Sequence, residues 1–132
     1  MNMLKRTFTL LAIALLAGCS STPSEEEAIM AMAKSRAMTI NSKAPYQKID
    51  QYQIMKAKAR ENVVEITILY GGGGNTPPTK AASNTVVNYC NNPELNPTLN
   101  GGVNYNIIIM DMRGRPMVTQ PITAEVCQQI TH

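Results

Sequence analysis

The sequence is poor in the side chains that catalysis and metal binding require. Its 132 residues include one histidine and three cysteines, and the histidine is the last residue, His132. General acid–base catalysis needs several titratable groups positioned in one pocket, and zinc sites draw mainly on histidine and cysteine. The main cluster of acidic residues is Glu25, Glu26 and Glu27, where helix capping explains it. The sequence therefore predicts a protein that is not an enzyme and that holds no metal ion or other cofactor.

Aromatic residues and surplus positive charge are also scarce. The chain has no tryptophan, one phenylalanine and five tyrosines, and its formal net charge is +3. Nucleic-acid-binding domains typically combine a basic stripe with interleaved aromatic side chains, and no such stripe is present, so we expect no nucleic-acid partner. The glycine run at residues 71–74 lacks the Gly-Lys-Ser/Thr sequence of a phosphate-binding loop and is expected to be a flexible connector.

The N-terminal segment has the features of an export signal. Lys5 and Arg6 precede an uncharged, largely apolar run over residues 7–17. A membrane-spanning helix needs about 20 apolar residues, so this run is too short for one and suits a signal peptide instead. It ends in Leu-Ala-Gly-Cys at residues 16–19 and is followed by a polar run over residues 20–24. This combination is typical of bacterial lipoproteins, although an ordinary cleaved signal with a chance cysteine is the alternative.

A lipoprotein signal makes specific chemical predictions. Residues 1–18 would be removed, Cys19 would carry a covalent diacylglyceryl group and an N-acyl chain, and residues 19–24 would form a tether. Each buried methylene contributes roughly 0.8 kcal/mol, so several acyl chains on one residue anchor a protein stably. Because Ser20 stands where an inner-membrane retention signal would have aspartate, we expect an outer-membrane protein whose domain faces the periplasm.

The processed chain is expected to form one small domain over residues 25–132, stabilised by a disulfide. Loss of Lys5 and Arg6 leaves ten basic residues against nine acidic ones, so the net charge falls from +3 to +1. Cys90 and Cys127 remain as an even pair in an oxidising compartment. A bond between them would contribute roughly 3–4 kcal/mol by the chain-entropy model. A metal pair or a catalytic thiol is the alternative, but neither has a further ligand or base nearby.

Hydrophobic periodicity predicts the order α-β-β-α-β-β-α. The expected helices cover residues 25–41, 79–90 and 123–130, and the expected strands cover residues 51–60, 63–70, 103–111 and 116–122. Two hairpins separated by helices indicate an α+β domain, in which helices flank a small antiparallel sheet. The two prolines of the last strand predict that it lies at an edge.

One face of this sheet is a candidate partner-binding surface. The pattern places Val103, Tyr105, Ile107 and Ile109 beneath the helices together with Ile66 and Ile68. The opposite face would then carry a set of flexible apolar side chains: Met55, Ala57, Leu69, Ile108, Met110 and Met112. Such patches mark interaction sites, unless a second layer such as the last helix covers them. The alternation of the first strand places Lys56, Lys58 and Arg60 on the other side from Met55 and Ala57. This row predicts either a solvated strand face or a contact with lipid headgroups or an acidic helix.

The C-terminal third of the chain resembles a known family. The residues concerned are Cys-Asn-Asn-Pro at 90–93, Gly-Val-Asn-Tyr-Asn-Ile at 102–107, Ile109, Asp111, Arg113, and Thr-Ala-Glu-Val-Cys at 123–127. In order and spacing they resemble the AspS-type pilotins of type II secretion systems, also called the GspS-beta family. A weaker likeness continues upstream through the strands at Tyr52 and Val64 and the helix that ends in Cys90.

The resemblance implies an outer-membrane lipoprotein that binds the C-terminal S-domain of the secretin subunit. The lipoprotein-sorting machinery would then take the pair to the outer membrane, where the secretin assembles its channel. The resemblance also implies an antiparallel sheet flanked by helices, a disulfide between Cys90 and Cys127, and lipid attachment at Cys19. The alternative function is that of another small outer-membrane lipoprotein with a structural or envelope-assembly role.

Overall fold

The computed structural model describes residues 24–130. The expected signal peptide, the lipidation site Cys19, the tether up to residue 23 and His132 lie outside the described residues. The elements are, in chain order, α1 (Glu25–Lys43), β1 (Tyr52–Arg60), β2 (Val63–Tyr70), α2 (Pro78–Asn91), α3 (Asn96–Asn100), β3 (Asn104–Met110), β4 (Pro116–Ile122) and α4 (Ala124–Ile130). The predicted α+β class is confirmed, and α3 is an addition to the predicted order.

The four strands form one sheet in the order β1-β2-β3-β4. Both predicted hairpins, β1–β2 and β3–β4, are present and antiparallel. However, β2 and β3 pair in parallel, with Val63 opposite Asn104 and Leu69 opposite Met110. The prediction of a purely antiparallel sheet is therefore wrong at its centre. The chain leaves β2 at Tyr70, crosses over through α2 and α3, and re-enters where β2 began, which makes the two strands run in the same direction.

The segment after Cys90 contains a helix, α3, that is absent from the predicted order. Leu95 and Leu99 are four residues apart and are both buried, at 4% and 2% exposure. That spacing puts them on the same side of a helical turn, and burial of two leucines stabilises α3 although it is only five residues long.

Two helices begin with side-chain caps. The Glu27 N–H donates to Ser24 Oγ at 3.2 Å at the start of α1. The Val126 N–H donates to Thr123 Oγ1 at 3.1 Å at the start of α4. Each cap satisfies a backbone N–H that has no acceptor within its own helix. Ser24, the last residue of the expected tether, is therefore part of the folded domain.

The core lies between one face of the sheet and the helices. It is built from alternate residues of the strands and from small or branched residues of the helices: Val64, Ile66, Ile68, Val103, Tyr105, Ile107, Ile109 and Ile122, with Ala33, Ala37, Ile40, Ala82, Val86 and Leu99. This confirms the predicted core face of β2 and β3. Tyr89 meets Tyr105 edge-on, with ring centroids 5.2 Å apart.

A β-bulge in β1 changes which of its side chains enter the core. Ile54 pairs with Ile68 while Lys56 pairs with Thr67, so Met55 is an extra residue with no partner of its own. The bulge reverses the alternation that follows it. Ala57 consequently lies in the core at 4% exposure, while Lys56 and Lys58 lie on the opposite face beside Thr67 and Glu65. The prediction that placed Ala57 on that face and the two lysines on the other side is therefore wrong.

The disulfide is present between Cys90 at the end of α2 and Cys127 in α4. Cys90 is buried, and Cys127 packs against the same core. The bond fixes α4 beside α2, on the side of the sheet where the other helices lie. It therefore decides where the last helix of the chain is placed.

Candidate functional site

One face of the sheet carries no helix in the part of the chain that the structure describes. Buried residues of α1, α2 and α3 belong to a single core cluster on the other face, and Val126 and Cys127 of α4 pack against that cluster. The expectation that α4 might cover the second face is wrong, because its disulfide to Cys90 holds it beside α2. We call the uncovered side the open face.

The open face consists of the strand residues that alternate with the core residues. In strand order they are Gln53, Lys56, Lys58 and Arg60 of β1, Val63, Glu65, Thr67 and Leu69 of β2, Asn104, Asn106, Ile108 and Met110 of β3, and Pro116, Thr119 and Pro121 of β4. It has two distinct halves. The half at the ends of β2 and β3 is apolar, and the half at their starts is polar.

With Ala57 in the core, three of the five remaining residues predicted for the partner-binding surface lie together in the apolar half. Leu69 stands opposite Met110 in the parallel ladder, and Ile108 is the next residue of β3 on the same face. All three are partly exposed. The shared register puts their side chains within contact distance of one another. The apolar half of the open face is therefore a continuous patch.

Met55 and Met112, the other two predicted residues, lie at the margins of this patch. Met55 is the bulged residue of β1 and is half-buried. Met112 lies beyond β3 in the turn to β4, where it is 68% exposed. It lines a groove of about 400 Å³ together with Tyr70 and Met117. Met117, which is 48% exposed, was missed by sequence reasoning because it lies between the two prolines of an edge strand.

The turn that presents Met112 is fixed by one carboxylate. Asp111 accepts hydrogen bonds from the backbone N–H groups of Arg113 and Arg115, both at 2.9 Å, and from Arg115 Nε at 2.9 Å. These bonds, led by the one from the Arg115 N–H, hold the pKa of Asp111 below its ordinary value of 3.8. The exposed methionine thus extends from an ordered turn.

The glycine loop at residues 71–74 is tied down next to this region. Asp50 accepts from the N–H groups of Asn75 and Thr76, both at 3.0 Å, and these bonds, chiefly that from Asn75, lower its pKa below 3.8. The rings of Tyr52 and Tyr70 are stacked. The Tyr52 hydroxyl donates to the Thr76 carbonyl, and the Tyr70 hydroxyl donates to the Gly73 carbonyl. A bound phosphate would need the N–H groups that Asp50 occupies. The geometry fits a connector.

Positive charge follows β1 along one margin of the open face. Arg60 pairs with Glu65 on the neighbouring strand. Lys56 and Lys58 are exposed, and neither forms a salt bridge within residues 24–130. The strand residues of the opposite margin, Pro116, Thr119 and Pro121, are uncharged, and the turn before them carries Arg113 and Arg115, of which Arg115 pairs with Asp111. The open face therefore combines an apolar patch with two available cations on one side.

The sheet edges are closed to a further strand. Along the outer edge of β1, Asn41 bonds the backbone N–H and C=O of Ala57 at 2.7 and 2.6 Å. The Tyr46 N–H donates to the Ile54 carbonyl at 2.9 Å. On the other edge, the prolines of β4 lack N–H donors. Since strand addition needs free donors and acceptors along an edge, a partner is better accommodated on the open face.

No cluster of three or more histidine, cysteine or carboxylate side chains able to hold a metal ion occurs between residues 24 and 130. In the same part of the chain, none of the helices combines the length and apolarity needed to cross a bilayer.

Comparisons with known proteins place these features in context. The profile of the family described as "Type II secretion system (T2SS) pilotin, S protein" matches residues 25–127. Among solved structures, the pilotin EpsS of the Vibrio vulnificus type 2 secretion system is similar, with 27% identity, a TM-score of 0.73, and coverage of 79% of this chain and 96% of that one. The pilotin AspS from Vibrio cholerae has a similar fold, with 24% identity, a TM-score of 0.69, and coverage of 78% and 95%. Among curated protein sequences, none is significantly similar to the chain.

Proposed function

The chain belongs to the type II secretion system pilotin, S protein, family, and from this premise we propose that it is an outer-membrane lipoprotein that binds the C-terminal S-domain of a secretin subunit. The family is one of assembly factors rather than catalysts. In this proposal, Cys19 carries the lipid and the domain faces the periplasm. The lipoprotein-sorting machinery then delivers the bound secretin to the outer membrane.

This function requires affinity and an anchor but no reaction. A secretin subunit exported alone carries no signal that sorts it to the outer membrane, and a lipidated partner supplies that signal for as long as the two remain bound. Several acyl chains on one residue give stable anchoring. The interaction with the secretin must therefore outlast transit, which favours burial of apolar surface over a few surface ion pairs.

The observation that carries the proposal is the apolar patch of Leu69, Ile108 and Met110 on an otherwise uncovered sheet face. An amphipathic helix binds by laying its apolar side into such a surface. Methionine side chains adapt to a partner because they are unbranched and flexible. Met55 and Met112 would extend the contact surface at its margins.

Binding of a peptide with the sequence of the secretin S-domain tests the proposal. We expect Ile108→Asp and Met110→Asp to abolish binding, because a carboxylate would be buried against the helix without a partner. Met32→Asp is the matched control, since Met32 is 41% exposed on α1, on the helical side of the sheet near Gly101. Circular dichroism and disulfide formation verify that each variant folds. Full binding by the folded Ile108→Asp variant would contradict the assignment of the surface.

The cellular role has its own test. Deletion of the chain should leave secretin multimers in the inner membrane, and Cys19→Ser should have the same effect while the domain still binds the peptide. Mass spectrometry of the exported protein should find the acyl groups on residue 19. Normal outer-membrane secretin in the deletion strain would overturn the proposal.

A further inference from the structure

The charge distribution of the open face specifies the partner further than its apolar patch does. Resting on the function proposed above, we infer that the segment docking here is an amphipathic helix with acidic residues along one flank only, the flank that lies above Lys56 and Lys58. The other flank, above β4, is uncharged.

The width of the sheet sets this arrangement. Neighbouring strands are about 4.8 Å apart, so the β1 margin lies roughly 10 Å from the line of Ile108 and Met110 on β3. A helix with its side chains is about 10–12 Å across. A helix that lays its apolar side over β2 and β3 therefore brings one flank above β1, within reach of the long lysine side chains.

The spacing along the strand matches a helical repeat. Lys56 and Lys58 point to the same face and are separated by about 6.6–6.8 Å. Residues four apart in a helix are separated by about 6 Å along its axis and lie on nearly the same side. Two acidic residues at positions i and i+4 of a helix running along β1 would thus each meet one lysine.

The cations of β1 outnumber the carboxylates beside them on the open face. Glu65 is the one carboxylate among the open-face residues named above; it pairs with the Arg60 guanidinium and stands opposite Lys58 in the ladder, so three cations of β1 face one carboxylate. The remaining neighbours on β3 and β4 are asparagine, threonine, proline and apolar residues. The field along β1 is consequently positive, whereas the residues of β4 that face the same side carry no charge, and the cations nearest to them are Arg113 and Arg115 in the turn before Pro116. This asymmetry would favour one placement of the helix across the sheet, because like charges brought together at an interface are costly.

The test measures association of the secretin S-domain peptide with the double variant Lys56→Glu/Lys58→Glu. The control, Lys48→Glu/Lys80→Glu, has the same change of net charge at two exposed lysines outside the open face. We expect the first variant to associate about tenfold more slowly at 50 mM NaCl and the difference to shrink at 500 mM, since salt screens exposed charges. The control should differ from wild type by less than about twofold at either salt concentration.

Two further outcomes separate this inference from the function on which it rests. If wild type binds, Ile108→Asp does not, and the Lys56/Lys58 and control variants behave alike, the acidic flank is wrong while the docking face stands. If wild type fails to bind the peptide, the proposed function itself is wrong. Substitution of the acidic flank residues of the peptide by lysine should restore fast association with the Lys56→Glu/Lys58→Glu variant, which a merely structural role of the lysines would not explain.

Discussion

The disulfide between Cys90 and Cys127 should supply a large share of the stability of this domain. It closes a loop of 37 residues, and the chain-entropy model assigns about 4 kcal/mol at 25 °C to a loop of that length. Domains of this size are typically stable by only about 5–15 kcal/mol. Removal of the bond should therefore leave the domain marginally stable.

Urea unfolding of three forms measures this contribution: the oxidised protein, the reduced protein, and Cys90→Ala/Cys127→Ala. With a urea dependence of about 1.5 kcal/mol/M, typical of small domains, a loss of 4 kcal/mol lowers the unfolding midpoint by roughly 2–3 M. The reduced protein should show this shift. The double variant should lie somewhat lower still, because replacing the buried Cys90 also removes packing contacts.

The double variant is also the control for the reductant, which should not move its midpoint. A shift below about 0.5 M on reduction, with mass spectrometry showing both thiols free, would refute the entropic reasoning. It would mean that contacts between α2 and α4 persist without the bond, either in the folded protein or in the unfolded chain.

Three further predictions concern single side chains. Asn41→Ala should lower the free energy of unfolding by about 1 kcal/mol and speed amide exchange at Ala57, whose backbone Asn41 bonds twice, as measured by urea unfolding and NMR. Tyr105→Phe should cost about 1 kcal/mol in the same unfolding assay, because the Tyr105 hydroxyl lies 3.3 Å from Thr98 Oγ1, whose own proton is donated to the Leu95 carbonyl. Hydrogen bonding holds the pKa of Asp50 below 3.8, so the stabilising contribution of its carboxylate should be complete above that pH and lost as the pH falls through the lowered pKa. An NMR titration of the Asp50 carboxyl group should show a midpoint below 3.8. A midpoint above 3.8 would contradict the contacts of the glycine loop.

The stability of the domain at alkaline pH should depend on the partly buried Tyr89. Burial raises the pKa of Tyr89 to about 12, with the neighbouring Tyr105 as a second cause. Ionisation of this phenol is therefore disfavoured in the folded state, and the domain should lose stability as the pH rises above about 10, the value for an unfolded chain. Spectrophotometric titration should show a late phenol that is missing in Tyr89→Phe. Early ionisation of every tyrosine would contradict the packing of the two rings.

The parts of the fold that could be read from the sequence are those governed by local periodicity. The alternation of Val64, Ile66 and Ile68 against polar neighbours defined β2 to the residue, since a strand with one buried face has period two. The caps at Ser24 and Thr123 are equally local, because each joins residues only three apart in the chain. The disulfide followed from the count of cysteines and the expected compartment.

The missed features are those that depend on distant parts of the chain. The parallel pairing of β2 with β3 is decided by how the crossover through α2 and α3 packs, which no alternation pattern records. The bulge at Met55 could not be located from the sequence because Gln53-Ile54-Met55-Lys56-Ala57 is compatible with either register. Its consequence, the transfer of Ala57 from the open face to the core, therefore depended on the structure.

A one-sided sheet that exposes apolar residues ordinarily risks aggregation, and this fold limits that risk without covering the patch. Exposed edges are the usual route to association between sheets, and here Asn41 and Tyr46 close the edge of β1 while prolines remove donors from β4. Lys56 and Lys58 flank the patch of Leu69, Ile108 and Met110. If two copies met face to face with their β1 strands on the same side, these positive charges would lie near one another. If β1 of one copy met β4 of the other, the lysines would be desolvated without a partner. Self-association is thereby disfavoured at the same surface where an acidic-flanked helix would be accepted. Under the proposed function, charge at the margin of the patch would limit self-association and still leave the patch accessible to the partner, which a covering layer would not.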